Sequence, residues 1–262
     1  MQYGVCADPK FAPALARAGF GFIELNVQQH LMPLADDATF EPELTRITRA
    51  VLPTIAANSF IPGSLKIVGS EVHKDALEAY AETAFARAQA LGIRSIVFGS
   101  GGARQIPDGF DRDEAWEQLL WFGGMIGPRA QAHNVTVVVE PLNVTRGECN
   151  VLTTVGESAR YVQQVNHPSV RLLADAYHWG LDNDSFGELV AGGVLLRHVH
   201  IATVQHRLPP GFEECDFTSF FHALWLGGYD GPVSIESRWD DVEAQAAAAY
   251  AGLMNVVHTV GL

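Results

Sequence analysis

Four ionisable side chains stand at the ends of short apolar runs in the second half of the chain. Glu140 ends VTVVVE, Asp175 ends RLLAD, His200 lies near the end of RHVHI, and Glu236 ends VSIE. Taken singly, each has a plain structural reading. A terminal acid can cap the helix that follows, and a lone histidine is often a hydrogen-bonded core group. Four consecutive runs ending this way point instead to one shared site. Carboxylates crowded together raise one another's pKa unless a cation sits among them. With one imidazole added, the donor set is hard and oxygen-rich and suits one divalent metal ion. Mn2+ is favoured, with Mg2+, Co2+ and Zn2+ as alternatives.

Other polar residues gather near these four. His178 follows Asp175 by three positions, and His198 precedes His200 by two. His206 and Arg207 stand just before Pro209, Pro210 and Gly211, while Asn143, Arg146 and Glu148 follow Glu140, and Glu24 closes FIEL. Such groups suit hydroxyl and carbonyl oxygens. Glu24, His198 and Asn143 read equally well as supports for the ligands or as direct substrate contacts. The stretch Gly99 to Arg104 (GSGGAR) reads as a plain flexible loop, with a phosphate cradle of backbone amides and Arg104 as the alternative. Trp179 and Trp239 are expected to be exposed near the site, as a lid or as the contact of a homo-oligomer.

These residues need strands to hold them, and the chain supplies eight. The β-branched or apolar runs are Tyr3 to Cys6, Phe22 to Leu25, Thr54 to Ser59, Ser95 to Phe98, Val135 to Glu140, Arg171 to Asp175, Arg197 to Ile201 and Val233 to Glu236. Helical spacing fills the gaps: Pro9 to Ala18, Glu41 to Leu52, Val72 to Leu91, Asp113 to Ala132, Val155 to Gln164, Phe217 to Leu226 and Val242 to Val257. Residues 179 to 194 leave room only for a short helix near Phe186 to Val190. Strands that alternate with longer helices imply parallel pairing, and no Pro- or Ser-rich linker interrupts the pattern. The expectation is an α/β chain forming a single (β/α)8 TIM barrel over residues 1–262. An open doubly wound sheet is the alternative. It usually carries a Gly-rich first turn, where this chain has Ala-Asp-Pro.

Composition narrows the class of function. The 262 residues are 48% hydrophobic, enough for a sizeable core, and 17 basic against 30 acidic side chains leave a net charge of −13. That field and the lack of a basic cluster argue against nucleic acid as a partner. Three cysteines without CxxC spacing argue against a disulfide framework and a thiolate zinc site. The first residues carry no export signal, and no apolar run reaches the roughly 18 residues of a membrane span. No membrane partner is expected, and the cytoplasm is the expected location.

Glu140-Pro-Leu-Asn143, Leu172-Leu-Ala-Asp175-Ala-Tyr-His178, His198-Val-His200-Ile-Ala and Pro232-Val-Ser-Ile-Glu236 together resemble the xylose isomerase-like barrel superfamily of sugar isomerases and epimerases. The ketose 3-epimerase branch is the most similar, and the likeness runs nearly the whole length. It implies that Glu140, Asp175, His200 and Glu236 ligate the metal. It also implies that His178 and Arg207 contact a small sugar, and that Glu140 and Glu236 double as the acid and base for a proton lost beside a carbonyl. Phe60-Ile-Pro62-Gly63 is similar to a segment near the substrate in some relatives. One departure stands out. Relatives tend to run Glu-Pro-Leu-Asn-Arg-x-Glu, whereas here Val144 to Gly147 separate Asn143 from Glu148, as if two residues were inserted. The substrate-contacting acid therefore moves to Glu148.

The groups themselves suggest an enediolate. A carboxylate takes a carbon-bound proton, and a second returns it to the same carbon with inversion or to the neighbouring carbon as an aldose–ketose isomer. His206 joins Arg207 as an expected substrate contact. Three rivals remain at this stage. A metal-dependent dehydratase of a cyclic polyol or dehydroshikimate-like acid would use a similar site, an apurinic-site endonuclease would want a basic rim, and a non-catalytic sugar-binding barrel would have lost ligands.

Overall fold

The computed structural model describes residues 1–260; residues 261 and 262, the end of the expected domain, lie outside the described residues. Eight parallel strands close into a barrel in chain order. They are β1 (Gln2–Cys6), β2 (Phe22–Asn26), β3 (Thr54–Asn58), β4 (Ser95–Phe98), β5 (Thr136–Val139), β6 (Val170–Asp175), β7 (Leu196–Ile201) and β8 (Pro232–Ile235). β1 pairs with β8 from Gln2 opposite Pro232 to Val5 opposite Ile235, which closes the sheet and excludes the open arrangement.

Helices return the chain between strands. They are α1 (Ala12–Ala18), α2 (Asp37–Thr48), α3 (Lys74–Ala90), α4 (Gly101–Arg104), α5 (Arg112–Ala132), α6 (Val155–Val165), α7 (Ala176–Leu181), α8 (Phe186–Gly192), α9 (Thr218–Leu226) and α10 (Val242–Thr259). Among the described residues, no helix is long and apolar enough to cross a membrane. Most of the buried apolar residues form one continuous cluster.

Every expected strand is present, with ends differing by a residue. Glu140 and Glu236 fall just past β5 and β8, where their N–H groups still bond to Phe98 O (3.1 Å) and Ile201 O (3.2 Å) on the neighbouring strands. α2 differs more, running Asp37–Thr48 where the spacing suggested Glu41 to Leu52. Asp36 caps it by accepting the Thr39 N–H at 2.8 Å, so the helix begins four residues early and Pro42 lies inside it rather than at its start. After β6 there are two short helices, α7 and α8, because Asp175 caps one and Ser185 the other.

Two expectations are corrected here. Gly99 to Arg104 is not a flexible loop: it includes α4, and Arg104 is fully buried. Its guanidinium donates to Phe98 O (3.1 Å), Glu140 O (2.8 Å) and Leu152 O (3.2 Å), so it ties together strand ends rather than facing a phosphate. Trp179 and Trp239 are not exposed either; both are half-buried and pack against the main core.

Inward-facing positions recur every second residue along a strand and therefore stack in layers inside the barrel. The lower layer is closed by a small separate cluster of Val97, Val138 and Leu173. Phe22 and His198 meet edge to face beside it, with ring centroids 6.4 Å apart. Gly4 has no room for a side chain, since a Cβ there would overlap the Phe22 ring. Two residues further along each strand lie Cys6, Glu24, Asn58, Gly99, Glu140, Asp175, His200 and Glu236, the layer at the C-terminal mouth.

Replacing Arg104 by Met would strand Glu140 O, since Phe98 O and Leu152 O keep the N–H groups of Glu140 (3.1 Å) and Leu142 (3.2 Å). Unfolding in urea is expected to show a loss of about 1 to 3 kcal/mol, the cost of one buried carbonyl without a donor. A loss under ~1 kcal/mol would show that Glu140 O finds another partner.

Candidate metal centre and active site

Glu140, Asp175, His200 and Glu236 each offer one ligand atom, and these atoms all lie within 4.8 Å of one another. Four consecutive strands thus bring the four expected ligands to one point. His200 is the hub. Its Nδ1 lies 3.2 Å from Glu140 Oε1 and 3.5 Å from Glu236 Oε2, while its Nε2 donates to Glu24 Oε1 at 2.8 Å. Glu24 Oε2 accepts in turn from His198 Nε2 at 2.7 Å. Because Glu24 takes the Nε2 proton of His200, Nδ1 is the nitrogen presented to the three carboxylates. Gly99 leaves space for them, since a Cβ there would overlap Glu140 Oε2.

The carboxylates are held unequally. Asp175 Oδ1 accepts the Tyr177 N–H at 2.8 Å, but Oδ2 is buried with no hydrogen-bond partner. Burial pushes the Asp175 carboxyl up to about 7, Arg207 opposing and Glu140 adding to the rise. Glu140 is also raised, first by burial, with Glu236 adding to it against the hydrogen bond from His200. Burial would lift Glu236 too, yet the charges of His200 and Arg207 outweigh it and hold the group down at about 2. The same balance keeps Glu24 well below the usual carboxylate range, the charges of His200 and His198 overcoming its burial. Burial alone would lower the His200 imidazole, but Glu24 and Glu236 hold it well above its ordinary value.

A buried carboxylate oxygen without a partner, two carboxyls pushed toward protonation and an imidazole nitrogen aimed among them form a donor set that fits a divalent cation. Such a cation would lie between β5, β6, β7 and β8 and contact one atom from each.

Around this group the structure gathers the other expected residues. Asn58 Nδ2 donates to Glu236 Oε1 at 2.9 Å, and Arg207 donates to Glu236 Oε2. Arg207 also lies 3.9 Å from Asp175 Oδ2 and from Glu148 Oε2. Its guanidinium sits over the Tyr177 ring, 4.6 Å from the centroid, and its backbone is left-handed with φ 58°. That strained conformation is held by Arg207 N donating to Thr203 O (3.0 Å) and by Arg238 N donating to Arg207 O (2.7 Å).

His178 is held by Asn143, whose backbone N–H donates to Nδ1 at 3.1 Å and whose side-chain amide lies 2.7 Å from the same nitrogen. An atom that accepts cannot also carry the proton, so Nε2–H points toward Asp175 Oδ2, 3.6 Å away. Burial, aided by Arg207, depresses this imidazole to about 3 and keeps it neutral. The Asn143 amide also donates to Glu148 Oε1 at 2.9 Å, placing that acid beside the cluster despite the extra residues before it. His206 is not brought in; its side chain is exposed and pairs with Glu213.

Sequence reasoning passed over Asn58 and Cys6. Both close apolar runs as the four expected ligands do, which was the available signal, but neither is ionised at neutral pH. Cys6, Glu24 and His200 form a second close group, with ligand atoms likewise within 4.8 Å. The Cys6 thiol is pushed well up, first by burial and then by Glu24.

Comparison with known proteins follows the same lines. The model of the xylose isomerase-like TIM barrel matches residues 12–256. A ketose 3-epimerase of Arthrobacter globiformis is 34% identical over 131 residues, covering 50% of this chain and 44% of that protein. The 3-dehydro-D-guloside 4-epimerase of Escherichia coli is 33% identical over 103 residues, 39% of this chain and 38% of that protein. The chain thus spans under half the length of these curated relatives. The crystal structure of D-psicose 3-epimerase with D-tagatose, from Clostridium cellulolyticum H10, superposes with a TM-score of 0.84 at 19% identity, covering 100% of both chains. At that identity the likeness concerns the fold.

Without metal, the cluster makes stability depend on pH. Asp175, at about 7 against an ordinary 3.8, and His200, well above 6.5, hold protons in the folded chain that the unfolded chain releases. Stability of the metal-free protein should therefore fall as pH rises from about 6.5 to about 8, whereas His178 opposes this only below that window. Thermal melts in chelator should give the lower midpoint at pH 8; an equal or higher midpoint would show that the cluster carries no excess proton.

Proposed function

The chain belongs to the xylose isomerase-like TIM barrel family, and on that premise we propose that residues 1–262 act as one barrel unit that isomerises or epimerises a small ketose or related sugar. The observation that carries this reading is the convergence of three carboxylates and His200 Nδ1, with Asp175 Oδ2 left buried and unpartnered. Glu140, Asp175, His200 and Glu236 would hold one divalent cation, Mn2+ favoured on the mixed imidazole and carboxylate set. When bound, that ion supplies Lewis-acid stabilisation of negative charge on adjacent substrate oxygens.

The chain's own groups then divide the work. Glu140 and Glu236 come from strands three places apart around the mouth and can meet a sugar from different sides. One takes a carbon-bound proton and the other returns it, through an enediolate. Asn58 and Arg207 fix Glu236 in place, while the peptide N–H that bonds to Phe98 O anchors Glu140. His178, neutral and with its proton on Nε2, donates to a substrate oxygen and does not compete for the reacting proton. Arg207 donates to another oxygen and offsets the charge that develops beside the cluster. Glu148, across from His178 Nε2 at 4.0 Å, accepts from a hydroxyl. The net charge of −13 disfavours a nucleic-acid substrate.

A screen of ketoses and their phosphates, with Mn2+, Mg2+, Co2+ and Zn2+ in parallel in heavy water, tests this reading. Metal-dependent exchange of a substrate C–H for deuterium is expected, together with formation of an isomeric sugar. A product absorbing in the ultraviolet would indicate dehydration instead, and metal-independent exchange would remove the proposed role of the cluster. Glu236→Gln should abolish turnover and weaken metal binding; near wild-type activity would overturn its assignment.

Glu24→Gln is a separate test of how His200 is oriented. A glutamine amide can donate to Nε2 and drive the ring proton onto Nδ1, so metal affinity should fall by about 10- to 100-fold, as is typical when a ligand's supporting carboxylate is lost. Direct metal titration checks this, and unchanged affinity would show that Glu24 does not set the tautomer.

A further inference from the structure

On the β1 to β3 side of the mouth lies a cavity of about 180 Å³ whose lining includes Cys6, Asp8, Glu24, His30 and Asn58. It adjoins the cluster, since Glu24 bonds to His200 and Asn58 to Glu236. None of the groups assigned to the reaction explains His30 or Asp8. We infer that this cavity receives the far hydroxyls of an unphosphorylated sugar chain, with His30 and Asp8 gripping one of them; the inference rests on the sugar reading above.

His30 is 5% exposed and its orientation is fixed. The Asn26 N–H donates to His30 Nδ1 at 3.1 Å, and an N–H can only donate, so although Asn26 O is equally near, the ring proton must sit on Nε2. That Nε2 faces Asp8 Oδ2 at 3.6 Å, too long for a hydrogen bond. A hydroxyl set beside both can accept from the imidazole and donate to the carboxylate at normal lengths. His178 is built the same way, with a backbone N–H on Nδ1 and Nε2 stopping 3.6 Å short of Asp175 Oδ2. Two such donors therefore sit on opposite sides of the mouth.

The other oxygen of Asp8 is already used. Asp8 Oδ1 accepts from Lys10 N and from Arg46 Nη1, each at 2.8 Å, whereas Oδ2 takes only a long bond from Arg46 Nη2 at 3.4 Å and keeps room for a second donor. Arg46 is shared with Glu43 at 2.6 Å, so its charge is spent on two carboxylates. A phosphate dianion at this place would meet Asp8 and Glu24 with no proton to give them, whereas a neutral hydroxyl supplies one.

Calorimetric titration of the Mn2+-loaded protein tests the inference. The ligands are the four D-ketohexoses, the 6-phosphate of whichever binds best, and dihydroxyacetone, which lacks the far hydroxyls. His30→Asn keeps an acceptor for the Asn26 N–H while withdrawing the Nε2 proton, and Asp8→Asn is nearly isosteric. Each variant should bind the best ketohexose about 10-fold more weakly, at roughly one hydrogen bond lost, with dihydroxyacetone unchanged within about twofold. Wild type should bind the 6-phosphate at least about 10-fold more weakly than the parent sugar. Equal losses for both ligands, no loss for either, or tighter binding of the phosphate would overturn the inference. So would binding of dihydroxyacetone without any ketohexose. If wild type binds neither kind of sugar, the sugar reading itself fails and takes the inference with it.

Discussion

Negative charge confined within a low-dielectric space is the condition to which the rest of the molecule answers. Glu140 and Asp175 are buried and Glu236 lies beside them, and water cannot screen the repulsion. The chain relieves it in part with its own cations. His200 is drawn toward protonation, and Arg207 reaches Glu236 and approaches Asp175. What is left over shows as carboxyls pushed toward their neutral forms and as one buried carboxylate oxygen without a hydrogen-bond partner. A divalent cation would meet that remaining demand directly, which is why the donor set argues for one more strongly than any residue does alone.

Such a charge cluster needs its members held in fixed orientations. Glu24 does this for His200 by fixing the ring proton on the far nitrogen, and is itself steadied by His198. Asn143 does it for His178, while Asn58 limits Glu236. Arg104 acts one step further back. Its buried guanidinium collects carbonyls from Phe98, Glu140 and Leu152, so the peptide that carries Glu140 is held from below. Positioning here is mainly a matter of placing donors where only one acceptor can receive them.

The barrel makes this arrangement affordable in packing terms. Its lower interior is filled by Val97, Val138 and Leu173 with Phe22 beside them, and His198, below the mouth layer, is the buried polar group that reaches up to Glu24. Glycine contributes by omission at Gly4 and Gly99, the one making way for an aromatic ring and the other for a carboxylate. The two halves of the mouth also differ. β5 to β8 supply the four converging donors, while β1 to β3 supply the neutral and bridging groups that border the adjoining cavity.

The eight strands and the four converging side chains were legible because both rest on local pattern. Apolar runs set the strands, and an ionisable residue at the end of such a run must emerge at the barrel mouth. Family likeness added His178, Arg207 and Glu148 in the same way. His206 shows the limit, since its neighbour in sequence turns inward while it pairs with Glu213 outside. Arg104 and the two tryptophans were misplaced for a related reason: burial of a polar or aromatic side chain depends on which carbonyls and core surfaces lie across from it, and those belong to other strands. The bridge from His198 through Glu24 to His200 spans the barrel between β2 and β7. It therefore exists only once β1 has met β8, and only then do residues 176 positions apart in sequence decide which nitrogen of an imidazole is free.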